Sequence, residues 1–259
     1  DVERSRGLGD VYKRQIFFSC TKSKEGKYKL KKNYVDKPSY GDIIITASIG
    51  EPATLNPVLA SDSASFDIID LVFNGLLKYD KDLKLTGDLV EKWEVSKDGK
   101  IITFYLKKGV LWHDGKEFTA KDVKFTYEKF MDPMTKTAYR SLFEPVKNIK
   151  ILDRYTIKIF YKRPFAPALE TWTTAIIPYH LLYNKNINKC KFNRDPIGTG
   201  PYKFLKWISN QQIELIANNN YFEGRPYITK YIYRIIPDQS VQFMSLLSGS
   251  IDMMGLNSD

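Results

Sequence analysis

The chain has 259 residues, 43% of them hydrophobic and 14% aromatic, enough to bury a core for one or two domains and too aromatic for a disordered polymer. Its formal net charge of +10 sits mostly in residues 1–37, with 11 Lys/Arg against 5 Asp/Glu, leaving 29 against 25 for residues 38–259. That balance argues against a nucleic-acid footprint; the absence of an apolar run of about 18 residues argues against a membrane-spanning helix, and two cysteines are too few for a disulfide framework.

In chain order, residues 1–15 lack the periodicity of the rest and read as a non-native leader, with an ordinary N-terminal tail as the alternative. Ile16-Phe17-Phe18-Ser19-Cys20 is a short apolar run ending in a small residue and a cysteine. Thr21–Asn33 follows as a Lys-rich tether within the segment 16–37. Asp42–Ser48 reads as the first core strand, leading into the loop Glu51–Pro57 and a small polar segment with Ser61, Asp62, Ser63 and Ser65. The spacing of Ile69, Val72 and Phe73 predicts a helix over Phe66–Leu77 that ends at Gly75.

The stretch Asp88–Lys129 is the most legible. Ile102, Phe104 and Leu106 alternate with Thr103, Tyr105 and Lys107, and Asp98-Gly99 is a tight-turn dipeptide, so Trp93–Ser96 and Lys100–Lys107 should pair as a hairpin. His113-Asp114-Gly115 closes a second turn. Thr119 is placed as a helix N-cap with Asp122 three residues on, and Val123, Tyr127 and Phe130 form one apolar face.

Beyond it, Thr135–Phe143 is a polar connection carrying Tyr139, and Val146–Leu152 with Tyr155–Tyr161 reads as a second hairpin across Asp153-Arg154. Tyr202–Ile208 and Gln212–Ala217 look like paired strands around Ser209-Asn210, and Lys230–Ile236 like another strand. Asp238 should cap a helix through Ser248 with Val241, Met244 and Leu247 as its buried stripe, before a strand at Ile251–Met254.

The run Trp93-Glu94-Val95-Ser96, Asp98-Gly99, Thr103-Phe104, Gly109-Val110, Trp112-His113-Asp114-Gly115, Phe118-Thr119-Ala120, Asp122-Val123 resembles the signature region of the family 5 extracellular solute-binding proteins. These are the oligopeptide-, dipeptide- and nickel-binding components of bacterial ABC importers. Two further matches fall in the family's order: Glu51–Pro57 (EPATLNP) and Gly198-Thr199-Gly200-Pro201-Tyr202. The resemblance implies an α/β fold: a periplasmic-binding-protein-like lobe of the class II type with an inserted α+β domain, the second ligand-binding lobe being missing. It divides the chain into a discontinuous first lobe, 40–72 plus 171–254, an inserted domain at 73–170, and the start of a truncated second lobe at 255–259.

The same resemblance implies an extracytoplasmic protein, in the periplasm or on the outer face of the cell membrane, that captures a peptide-like solute between two lobes and delivers it to a permease. A nickel-chelate or sugar binder of the family, or a non-transport ligand sensor on the same fold, is the alternative. By motif position the ligand-facing residues are Ser61, Asp62, Ser63 and Tyr139, with Thr199 and Gly200 nearby. Ile16–Cys20 resembles the end of a lipoprotein signal peptide, which makes Cys20 the lipid-bearing residue and the membrane a partner through it. No catalytic motif is present: there is no G-x-S-x-G elbow, no H-E-x-x-H, and no Cys or Ser tied to a base. His113, His180 and the cysteines have no metal-site spacing. An enzyme, a cofactor, a resident metal and a nucleic-acid partner are therefore not expected.

Overall fold

The structure, a computed structural model, describes residues 38–255. The expected leader, the segment with Cys20 and its tether, and residues 256–259 lie outside the described part. Strand β1 (Gly41–Ser48) leads through the Glu51–Pro57 loop into helix α1 (Ser63–Val72). The Asp62 carboxylate caps α1, accepting from the Ser65 amide at 2.8 Å and the Ser65 hydroxyl at 2.7 Å. The helix was expected over Phe66–Leu77. It starts earlier because this cap fixes its first turn, and it ends at Val72 because the Val72 carbonyl is taken by the Gly200 amide at 2.8 Å. The chain then runs extended into β2 (Leu77–Tyr79), which pairs with β3 (Leu85–Gly87).

Next come β4 (Val90–Val95) and β5 (Ile101–Leu106), the expected hairpin around Asp98-Gly99, with Gly99 at φ +65°. Helix α2 (Ala120–Met131) follows. The Asp122 carboxylate accepts from the Thr119 amide at 2.8 Å with one oxygen and from the Tyr179 amide at 2.9 Å with the other. One buried acid thus starts a helix and ties down a distant segment. The connection carrying Tyr139 contains a short helix, α3 (Arg140–Phe143), before the second hairpin, β6 (Val146–Asp153) and β7 (Thr156–Tyr161). A short α4 (Tyr179–Leu182) precedes β8 (Tyr202–Ile208), β9 (Gln212–Ala217) and β10 (Ile228–Ile235), then α5 (Gln239–Leu247) and β11 (Met253–Met254).

Two sheets dominate. A five-stranded sheet has the order β11-β1-β10-β9-β8, with β1 parallel to both its neighbours and β8 to β10 an antiparallel meander. A four-stranded antiparallel sheet, β4-β5-β7-β6, is built wholly from Val90–Tyr161. Ile102, Phe104, Leu106, Ile157 and Ile159 point to its buried face, the period of two that the sequence displays. Against them pack Phe130, Phe143 and Trp172: Phe143 stacks on Phe130 at 4.7 Å and meets Trp172 edge-on at 5.5 Å. The Trp172 indole donates to the Tyr161 hydroxyl at 2.9 Å, so this buried donor is satisfied.

Helix α5 departs from expectation. Asp238 caps it, accepting from Val241 N at 2.9 Å, but Val241, Met244 and Leu247 are 52, 62 and 66% exposed, whereas Gln242 is buried. The Gln242 amide donates to the Ile236 carbonyl at 2.6 Å, so the polar position faces inward and the apolar stripe faces out.

Candidate functional site

The Gly198-Thr199-Gly200 loop is where distant parts of the chain meet. A Cβ at Gly198 would overlap the Val72 carbonyl oxygen, and one at Gly200 would crowd the Leu71–Val72 backbone, so only glycine lets this loop lie on the end of α1. His113, from the turn after β5, clamps the other side. Its amide donates to the Gly198 carbonyl at 2.8 Å, its Nδ1 accepts from the Gly198 amide at 3.2 Å, and its Nε2 donates to the Gly200 carbonyl at 3.0 Å. Both ring nitrogens are used by the neutral tautomer. Burial pushes the imidazole pKa down to about 4.

Thr199, between the two glycines, is 1% exposed and donates to the Asn74 side-chain oxygen at 2.9 Å. The Asn74 amide nitrogen donates in turn to both carboxylate oxygens of Asp88, at 3.1 and 2.9 Å, and approaches the Tyr221 hydroxyl at 3.2 Å. Lys78 completes the group, 3.5 Å from Asp88 and 2.5 Å from Glu223. Burial raises the Asp88 pKa even though Asn74 and Lys78 favour its charged form. Asn74, Lys78, Asp88 and Tyr221 line a cleft of about 400 Å³.

A second cleft of about 250 Å³ adjoins it, since Asp70, Thr173 and Ala175 line both. Its walls are mainly apolar, with Pro57, Phe66, Ile69 and Leu142 beside Tyr139. Tyr139 meets Phe66 edge-on at 6.1 Å. Asp70 stands at the junction of the two, its pKa raised by burial and by the neighbouring Asp67 carboxylate. The arrangement pairs an apolar recess with a polar one and places a carboxylate between them. Such a groove suits a ligand with both apolar side chains and polar backbone. Among the described residues no three His, Cys, Asp or Glu side chains converge as a metal site would require.

Of the residues expected to face a ligand, only Tyr139 lines these clefts. Ser61 and Ser63 are exposed at the start of α1, and the Asp62 carboxylate is occupied by the cap. Thr199 and Gly200 are buried beneath the groove, as packing and bonding partners rather than open surface. Sequence reasoning missed Asn74, Lys78, Asp88 and Asp70. Asn74 carried a signal, as the polar exception inside the apolar run Leu71–Leu77.

Comparison with known proteins places this geometry. Residues 84–259 match the family described as bacterial extracellular solute-binding proteins, family 5 Middle. The oligopeptide-binding protein AppA of Bacillus subtilis (strain 168) is 37% identical over 250 residues, covering 93% of this chain and 46% of that protein. Its structure in complex with a nonapeptide superposes with a TM-score of 0.79 at 36% identity, over 83% of this chain and 44% of that one. NikZ of Campylobacter jejuni, in complex with Ni(L-His), gives a TM-score of 0.77 at 36% identity over 81% of this chain and 42% of its own. The chain thus spans less than half the length of the relatives it matches. By the extent of the family match and by fold, this chain belongs to the bacterial extracellular solute-binding proteins of family 5.

Proposed function

We propose that this chain forms one wall of the binding cleft of an extracytoplasmic solute-binding protein that captures a peptide-like solute and delivers it to an ABC permease. The observation that carries the reading is the pair of adjoining clefts sharing Asp70, Thr173 and Ala175, one apolar around Tyr139 and Phe66, the other polar around Asn74, Lys78 and Asp88. A peptide offers both characters along its length. The relatives are more than twice as long as the part matched here, and the opposing wall comes from that additional chain.

Within this reading Tyr139 contacts the ligand, Ser61 and Ser63 stand at the start of α1 outside the clefts, and Thr199 and Gly200 hold the groove in shape from below. The segments 40–72 and 171–254 act as one lobe and 73–170 as an insert, in keeping with a four-stranded sheet drawn only from residues 90–161. Capture without turnover is the chemistry proposed: the cleft carries polar anchors and an aromatic wall, and His113 is engaged by the loop it clamps. A nickel chelate is the second reading, since the protein crystallised with Ni(L-His) is as similar, at 36% identity, as the one bound to a nonapeptide.

Native mass spectrometry of the protein from the full open reading frame, purified without denaturant, tests the function. Intact peptides carried through purification support it; cleaved peptide products would count against it, and a nickel-histidine adduct would favour the second reading. Cys20 is proposed as the lipid-bearing residue. Labelling cells with a fatty-acid analogue should mark the native protein and not its Cys20→Ala variant, and equal labelling of both would remove the anchor.

A further inference from the structure

The positive charge of the described chain is not evenly spread. Residues 90–163, which contain the whole four-stranded sheet, hold 17 Lys/Arg against 10 Asp/Glu, whereas residues 38–89 and 164–259 together hold 12 against 15. On this sheet Ile102, Phe104, Ile157 and Ile159 face the core, so Ile101, Lys158, Phe160 and the residues opposite them face away. Lys158 is paired in register with Lys150 on β6, and Phe160 with Asn148 and Ile101. Lys147 lies in the register shift between Val146 and Asn148, and Lys162 continues the alternation past Lys158 and Phe160. Half-buried Phe160 and Ile101 are thereby flanked by Lys147, Lys150, Lys158 and Lys162.

Two like charges directly opposite one another weaken a sheet. Lysines on an edge strand can be explained as protection against unwanted pairing, which covers Lys147 and Lys150 on β6. It does not cover Lys158, because β7 lies inside the sheet between β5 and β6. Nor are these charges neutralised locally: among the described residues no ion pair involves any of the four. The nearby acid Asp153 accepts from the Tyr155 amide at 2.7 Å. Glu94 shares the outward face but stands two strands from Lys158, with Thr103 between them, and forms no ion pair with it.

We propose that the outward face of the β6–β7 half of this sheet docks on an anionic lipid bilayer, with the four lysines at phospholipid headgroups and Phe160 at the interface. Charge complementarity selects the occupant. The lysines lie on two adjacent strands around an apolar centre, a two-dimensional spread that fits a plane of headgroups rather than the linear backbone of a nucleic acid. Docking there would hold the chain in one orientation at the membrane, independently of any lipid on Cys20.

The test is co-sedimentation of the full chain with vesicles of phosphatidylcholine alone and of phosphatidylcholine mixed equally with phosphatidylglycerol. Binding is expected only to the anionic vesicles and should fade as salt is raised. The double variant Lys150→Gln/Lys158→Gln should bind about thirtyfold more weakly, at roughly fivefold per lysine. Its unfolding midpoint should be unchanged, and Lys185→Gln/Lys189→Gln should bind like wild type. Should the first variant unfold early, Lys147→Gln/Lys162→Gln reads the same face. Sheet variants that bind like wild type would overturn the proposal, since the lysines of residues 1–37 would then carry the binding. Tighter binding to duplex DNA than to anionic vesicles at equal salt would overturn it as well.

Discussion

His113 shows how one residue of the signature stretch sets a pH dependence. Its ring serves the Gly198–Gly200 loop only when neutral, because Nδ1 must accept from the Gly198 amide. Well above pH 6.5 the imidazole is uncharged in both the folded and unfolded chain and contributes no pH dependence. As pH falls below about 6.5 the unfolded chain takes up a proton that the folded site, at about 4, refuses. Stability should therefore drop between pH 6.5 and 4 by about 3 kcal/mol and then level off. Urea unfolding at pH 7, 5.5 and 4 checks this, with His113→Gln expected to lose that portion of the slope. An unchanged slope in the variant would remove His113 as its source. At the facing position, Gly198→Ala forces a methyl group onto the Val72 carbonyl, and an overpacking cost of about 2–3 kcal/mol is expected. Gly50→Ala, which meets open space, should stay within about 0.5 kcal/mol. Equal unfolding midpoints for the two would contradict the close approach.

At the scale of elements, the strands are where sequence and structure agree most closely. Tyr202–Ile208 and Gln212–Ala217 are read to the residue, because two apolar, aromatic-rich runs flank the Ser209-Asn210 turn, where Asn210 takes φ +57°. The capped start of α2 was equally legible in Thr119 and Asp122, a purely local signal. Helix α5 was legible as a helix and misread as to its face. Spacing tells which residues share a side but not what covers that side, and here it is Gln242 that turns inward. The site was less legible still. Asn74 reaches Asp88 fourteen residues away and Thr199 across 125, and a network closed over such separations leaves no period to detect. The α5 geometry has a direct consequence. Val241→Ser, Met244→Ser and Leu247→Ser should each change stability by less than about 0.5 kcal/mol, whereas Gln242→Ala should cost about 1–3 kcal/mol by stranding the Ile236 carbonyl. Thermal unfolding of the four variants decides it, and the opposite ranking would restore the buried stripe.

For the whole molecule, the glycine loop, the His113 clamp and the Asn74–Asp88 network do one thing together: they fix the floor of a groove whose walls are Tyr139 and Phe66 on one side and Lys78 and Tyr221 on the other. A preformed groove of this kind spends little binding energy on ordering itself. The most direct test is calorimetric titration of peptides of graded length into the protein from the full open reading frame, alongside its Tyr139→Ala variant. The expected result is saturable binding of at least one peptide, recovered intact, with affinity reduced about tenfold or more in the variant. Binding that is unaffected by Tyr139→Ala, or no binding of any peptide, would contradict the assignment of this groove as the solute site.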